Sequence, residues 1–179
     1  MKSEFVHLHN HSDYSLLDGA QQVSQLVNTI DDLNMDSVAL TEHGNMFSVL
    51  PYYKAAKKAG IKPIIGCEIY VAVGSRFEKK TTAEHGWGNN HLILLAQNYT
   101  GYKNLMKLVT AGYLEGFYYR PRVDIDLLRE YNEGLICMSA CLKGEVPERM
   151  LRGDYEGAKK AAITFSEIFP GRYYLEIQN

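Results

Sequence analysis

The sequence predicts an α/β domain organised around parallel strands, and three observations carry that reading. Short segments rich in β-branched and apolar residues alternate with segments whose apolar residues recur at helical spacing. Capping residues and glycine stops fall at the junctions between them. Residues able to bind metal recur where strand segments run into the loops that follow, which is where parallel α/β folds build their sites.

Glu4 to His9 reads as the first strand, and Gln22 to Leu33 as a helix with Val23, Leu26, Val27, Ile30 and Leu33 along one face. Ser37 to Leu40 is the second strand. It ends in Thr41-Glu-His-Gly44, and the helix after it runs from about Met46 to Ala59 and stops at Gly60. Lys62 to Val73 is a third strand. Gly74 to Asn90 is polar, glycine-rich and without period, so it reads as an exposed loop, with His85 solvated inside it. His91 to Ala96 resumes as a strand, followed by a helix from Tyr99 to about Tyr113 with Leu105, Leu108 and Val109 inward. Asp124 caps a short helix ending near Glu130, and Gly134 to Met138 is the next strand. Helices over Val146 to Leu151 and Tyr155 to Phe169, the latter capped by Asp154 and closed by Pro170-Gly171, precede a last strand from Tyr173 to Gln178. No long Pro- or Ser-rich linker divides the chain. Because the alternation predicts a further helix after that strand, the chain reads as a fragment of a larger unit.

Composition narrows the function. With 179 residues, 46% of them hydrophobic, the chain can bury a proper core. No apolar run approaches the roughly 18 to 20 residues that span a bilayer, and the N-terminus lacks a basic segment leading into an apolar one. A cytoplasmic protein without a membrane role is expected. The three cysteines do not make a disulfide scaffold: Cys67 and Cys137 sit within apolar strands as small buried hydrophobes, which leaves Cys141 as a candidate thiolate. A net charge of -2 excludes a protein whose main business is gripping nucleic acid through a basic face. Contact with DNA here must be local, metal-mediated or supplied by another part of a larger chain.

The segment from Phe5 to Gly19 holds His7, His9 and His11 at alternate positions, with Asp18 shortly after. In extended backbone such positions share a face, and neutral imidazole is the commonest metal ligand. His9, His11, Asp18, His43, Glu68, His91 and Cys141 are the candidate ligands, spread over successive strand ends. Imidazole with carboxylate and thiolate suits zinc, or manganese and iron where carboxylates dominate. So many donors can support more than one ion, and closely spaced ions can activate water and steady a leaving oxygen, so phosphoester hydrolysis is the expected chemistry. His7 lies earlier on the strand and is assigned to orienting a ligand or to the core. Glu42 either ligates beside His43 or holds the loop. Asp18 has a competing role as cap of the helix starting near Ala20, and Glu68 as an edge-strand charge. Gly116-Phe-Tyr-Tyr-Arg-Pro-Arg122 joins aromatics to two guanidinium groups, so Arg120 and Arg122 are candidates for stacking on bases and pairing with phosphate, or for an ordinary tyrosine-packed loop. No Gly-rich phosphate loop and no Ser-His-Asp or Cys-His order is present.

With these residues in view, the chain closely resembles the PHP (polymerase and histidinol phosphatase) domain found at the N-terminus of bacterial DNA polymerase III alpha subunits. The resemblance spans essentially the whole chain. It rests on His7 to Gly19, Thr41 to Phe47, Gly60 to Glu68, His91 to Ala96, Gly116 to Arg122 and Ser139 to Glu145. It implies a distorted seven-stranded β/α barrel, truncated in this chain at its C-terminal end, with residues 1–179 forming a PHP domain fragment. It also implies a site for two to three divalent ions, zinc or manganese, held by His9, His11, Asp18, His43, Glu68, His91 and Cys141. In some relatives that site supports a metal-dependent 3′-5′ exonuclease; in others it is a structural module supporting the polymerase. Implied partners are DNA, through the full-length polymerase, and other replicase subunits. A stand-alone phosphoesterase of the histidinol-phosphatase type would share the ligands but lack the Gly116 to Arg122 and Ser139 to Glu145 segments. Two departures stand out: Thr41-Glu42-His43 replaces the family's usual Thr-Asp-His, and the family's last motif, an Asp-x-His-like pair, falls beyond Asn179.

Overall fold

The computed structural model describes residues 4–80 and 89–178. The expected position of His85 lies outside them. Six helices and six strands follow one another among the described residues: α1 Val23–Asp32, β1 Ser37–Leu40, α2 Val49–Ala59, β2 Lys62–Ala72, β3 Asn89–Ala96, α3 Tyr99–Leu114, β4 Arg122–Val123, α4 Ile125–Glu130, β5 Leu135–Met138, α5 Glu145–Leu151, α6 Tyr155–Ile168 and β6 Tyr173–Tyr174. The strands form one sheet in the order β1-β2-β3-β5-β6, with β4 paired to β2.

The α/β class holds, and the expectation of parallel strands needs one correction. β1 and β2, β2 and β4, and β5 and β6 pair in parallel, whereas β3 runs antiparallel to both neighbours. A parallel neighbour requires a crossover, usually a helix, and the sequence provides no helical pattern between β2 and β3. β3 therefore returns as the second arm of a hairpin-like pair, and its beginning lies at the end of the sheet where the other strands finish.

The first expected strand is extended but irregular. Ala39 donates its N–H to His7 O and Thr41 donates to Asn10 O, both at 2.8 Å, so residues 7–10 run along β1. The reciprocal bonds pass through side chains: Asn10 N–H donates to Thr41 Oγ1 and Asn10 Nδ2 to Ala39 O. Two further boundaries shift for local reasons. α2 starts at Val49 rather than Met46 because Asn45 Oδ1 accepts the Phe47 N–H at 3.1 Å, a turn that competes with the helix. β6 covers only Tyr173–Tyr174 because β5 ends at Met138; beyond it Ser139 Oγ accepts the Glu176 N–H at 2.8 Å.

Alternation along the strands sorts the two faces of the sheet. Cys67, Ile69 and Val71 of β2, with Leu92 and Leu94 of β3, pack into one core with Leu105, Leu108, Leu128, Phe165 and Ile168 from the helices. α1 and α2 seal β1 through Val27, Ile30, Tyr52 and Ala56 against Val38 and Leu40. The opposite face carries Ala39, Ile93, Leu95, Met138 and Ala140. In the β2–β3 register Glu68 faces Ile93 and Tyr70 faces His91, so a polar layer sits beside this second, smaller apolar one. The face is curved. His9, from the segment beside β1, and Glu176, after β6, approach to 2.7 Å, although five inter-strand gaps laid flat would separate those edges by about 24 Å.

Candidate metal centre

Every strand segment that reaches the curved face contributes a donor at the same end. His9 and His11 come from the run beside β1, His43 from the turn after β1, Glu68 from β2, and His91 from the start of the reversed β3. Cys141 follows β5 and Glu176 follows β6. The backbone fixes their depth: His43 bridges Glu68 in a parallel contact, and His91 bridges Gly144 and donates its N–H to Lys143 O at 2.9 Å.

Glu68 is the hub. Its side chain is 1% exposed, and its two oxygens serve different groups. Oε2 lies 2.8 Å from His9 Nε2 and 3.8 Å from His11 Nε2, while Oε1 lies 2.6 Å from Nδ1 of both His43 and His91. The donors thus divide into His9, His11 and Glu68, and His43, Glu68 and His91, each set with its ligand atoms within 4.8 Å of one another. His9 Nε2 and His11 Nε2 face each other at 3.1 Å, and the His11 and His43 rings stack at 3.9 Å. Asp18 Oδ2 stands 2.8 Å from His43 Nε2, and Cys141 Sγ 3.7 Å from His91 Nδ1.

Electrostatics follow from this crowding. Burial opposes charge on Glu68, yet hydrogen bonds from His43, His9 and His91 hold its carboxyl far below the usual range. Burial also opposes protonation of His9, but the bonds to Glu176 and Glu68 raise it to about 9. His91, held by Cys141 and Glu68 against the same burial, is likewise raised to about 9, and the Cys141 thiol is lowered in return. His11 goes the other way, down to about 4, through burial and the neighbouring His43. The protons on His9 and His91 occupy places that a cation can take. His11 Nδ1 and Glu176 Oε2 are buried without a hydrogen-bond partner, as expected where electron-pair donors outnumber protons. Four imidazoles with buried carboxylate and a thiol form a donor set that fits zinc or manganese.

The structure gathers His9, His11, Asp18, His43, Glu68, His91 and Cys141 into one cluster. Asp18 sits at its rim and does not cap α1, whose N-cap is Gln22. His7 departs from expectation: it is exposed, its ring meets Phe5 edge-on, and it joins neither donor group, because the run spends residues 7 to 10 against residues 39 to 41 of β1, which breaks the two-residue alternation. Glu42 holds the loop. Its carboxylate is buried and accepts the Ser12 N–H and the Ser12 and Ser15 hydroxyls, and Ser15 Oγ accepts the His43 N–H at 3.1 Å. Arg122 also departs from expectation. It is 2% exposed and its guanidinium donates to the carbonyls of Gly116, Arg76 and Glu78, which closes the turn rather than facing a ligand. Arg120 is exposed, 5.6 Å over the Tyr70 ring, which in turn packs against His43 and His91. Cys67 and Cys137 are fully buried. Sequence reasoning missed Glu176. The sequence placed it inside the strand expected from Tyr173 to Gln178; because β6 ends at Tyr174, it falls just past a strand end, the position that exposed the other donors.

A family model described as PHP domain matches residues 7–179. Among curated proteins, the chain is 53% identical over 177 residues to a DNA polymerase III subunit alpha of Borreliella burgdorferi, covering 99% of this chain and 15% of that protein. It is 48% identical to the same subunit of Treponema pallidum and 43% identical to that of Thermus aquaticus, again covering 99% of this chain and 15% of each protein. The chain therefore spans about 15% of the length of these relatives and matches their N-terminal regions. A two-domain protein from Bacteroides vulgatus, containing a predicted PHP-like metal-dependent phosphoesterase, superposes with a TM-score of 0.44 at 18% identity, over 74% of this chain and 33% of that one.

Proposed function

The chain belongs to the PHP domain family, and on that premise we propose that it serves a bacterial replicative DNA polymerase as a metal-dependent 3′-5′ exonuclease centre. Bound zinc or manganese would polarise a phosphoryl oxygen and favour charge on the departing one. His9, His11 and Glu68 would hold one cation and His43, Glu68 and His91 a second, with Asp18 and Cys141 completing the shells. The single observation that carries this reading is that Glu68 gives one oxygen to each group, so that one buried carboxylate would serve both cations.

The remaining roles belong to the chain's own side chains. Arg120, steadied over Tyr70 at the rim, would pair with the phosphate of the terminal nucleotide through its planar fork. Glu42 keeps Ser12 and Ser15 in place, and Ser15 holds the backbone of His43. The surrounding apolar layer of Ile93, Leu95 and Met138 limits water beneath the cluster. DNA reaches the site through the intact polypeptide, which works with other replicase subunits in the cytoplasm. Among the described residues no helix is long and apolar enough to cross a membrane.

The test uses the full-length polypeptide. With manganese or zinc, it should release 3′ nucleotides from single-stranded DNA, and His9→Ala should abolish release while nucleotide addition continues. A His9→Ala protein that excises as fast as its parent would overturn the hydrolytic reading and leave a structural role for the domain.

A further inference from the structure

Glu176 lies outside both donor groups, yet its Oε1 stands 2.7 Å from Nδ1 of His9, a member of one of them. We propose that Glu176 is a positioning residue of the centre: it holds the His9 ring so that Nε2 faces the cation position shared with His11 and Glu68. The inference rests on the metal-binding reading above.

The geometry supports it from three sides. Glu176 Oε1 is 2.7 Å from His9 Nδ1, nearer than Gln178 Nε2 at 3.3 Å, and a carboxylate oxygen can accept a hydrogen from that nitrogen. Nε2, across the ring, lies where the other donors of its group converge, 2.8 Å from Glu68 Oε2 and 3.1 Å from His11 Nε2, so a cation there would take the place of the hydrogen shared with Glu68. Glu176 is itself held. Its N–H donates to Ser139 Oγ at 2.8 Å, and Gln178 Nε2 donates to its Oε1 at 2.7 Å. The side chain is 11% exposed. A carboxylate anchored in this way sets both tautomer and ring angle, a role that outer partners of metal-bound histidines commonly fill.

Cation affinity of the full-length polypeptide, measured by calorimetric titration with manganese or zinc, tests the proposal with three variants. Glu176→Ala and Glu176→Leu should each weaken binding by about 10- to 100-fold, the usual cost of removing such a partner. Glu176→Gln should recover most of that loss, since its carbonyl accepts the same Nδ1–H. Parental affinity in Glu176→Ala would overturn the proposal, as would recovery in Glu176→Leu, which would make the role one of packing. A Glu176→Gln protein as weak as Glu176→Ala would overturn it too, by pointing to direct ligation through the carboxylate. If the parent itself binds no cation, the metal reading fails and this inference falls with it.

Discussion

His43 and Glu68 are joined twice, once by backbone and once by side chain. Their residues form a parallel bridge in which Glu68 donates its N–H to Glu42 O at 3.0 Å and Gly44 donates to Glu68 O at 2.8 Å. Across that bridge, His43 Nδ1 and Glu68 Oε1 stand 2.6 Å apart. The side-chain contact is therefore set by the sheet and does not depend on a flexible arm finding its target.

Because both donor groups share Glu68, Glu68→Ala should abolish binding at both. His91→Ala should affect one group and leave the His9 and His11 group competent. Metal content of the purified full-length proteins, measured by elemental analysis, checks this. Retention of both cations by Glu68→Ala would show that the carboxylate does not link them.

The protonated histidines make the metal-free protein sensitive to base. His9 and His91 are raised from 6.5 to about 9, so their contribution is complete below pH 6.5 and is lost as pH rises through about 9. Glu68 is depressed, so its contribution is complete above about 4.5 and fades as pH falls through its folded value. His11, lowered to about 4, costs stability as pH falls below 6.5. From the histidines and Glu68, metal-free stability should peak near pH 6.5 and decline by pH 9, a decline that the lowered Cys141 thiol offsets in part. Cation affinity should rise over the same interval because binding displaces the protons. Calorimetric melting at pH 6.5 and 9, with and without manganese, checks both slopes; a metal-free melting temperature that climbs toward pH 9 would refute the assignment.

Glu42→Ala should destabilise the fold by about 2–4 kcal/mol, since the buried Ser12 N–H and two hydroxyls lose their acceptor. Cation affinity should fall as well, because the turn it braces carries His11 and supports His43. Denaturant unfolding gives the first quantity and calorimetric titration the second. Full stability in Glu42→Ala would mean that the turn holds itself.

The two arginines of the Gly116 to Arg122 turn should separate cleanly. Arg122→Ala should cost about 3 kcal/mol of stability by stranding three backbone carbonyls. Arg120→Ala should leave stability and cation affinity unchanged and lower kcat/KM for excision by about 10- to 100-fold, the loss of one charge-assisted hydrogen bond to phosphate. Equal kcat/KM in Arg120→Ala and its parent would remove Arg120 from the site.

Much of the fold was legible because its signals are local. Gly60 closes α2 with φ 75°, Asp124 Oδ1 accepts the Leu127 N–H, and Asp154 Oδ1 accepts that of Gly157, each as the spacing predicts. The donors were legible because strand ends recur at regular intervals. The rest depends on partners far away in the chain. The direction of β3 follows from the lack of a helical pattern in the sequence between β2 and β3, a signal that was present but overridden by the α/β rhythm. Arg122 looked like a ligand-binding charge because nothing local reveals the three carbonyls that bury it. Glu176 meets His9 across 167 residues, and no spacing rule anticipates a pair that exists only because the sheet curls.

The reversal of β3 has a bearing on how such a centre tolerates change. His91 is the third residue of its strand, pinned by the β2 ladder and by Lys143 O, so its place is settled after the chain has entered the sheet. Residues 77–80, on the approach, are exposed. Beyond Glu78, whose carbonyl Arg122 holds, Lys79 and Lys80 are therefore the natural place for lineages to add or remove residues, or for an engineer to graft a reporter peptide, without disturbing the centre.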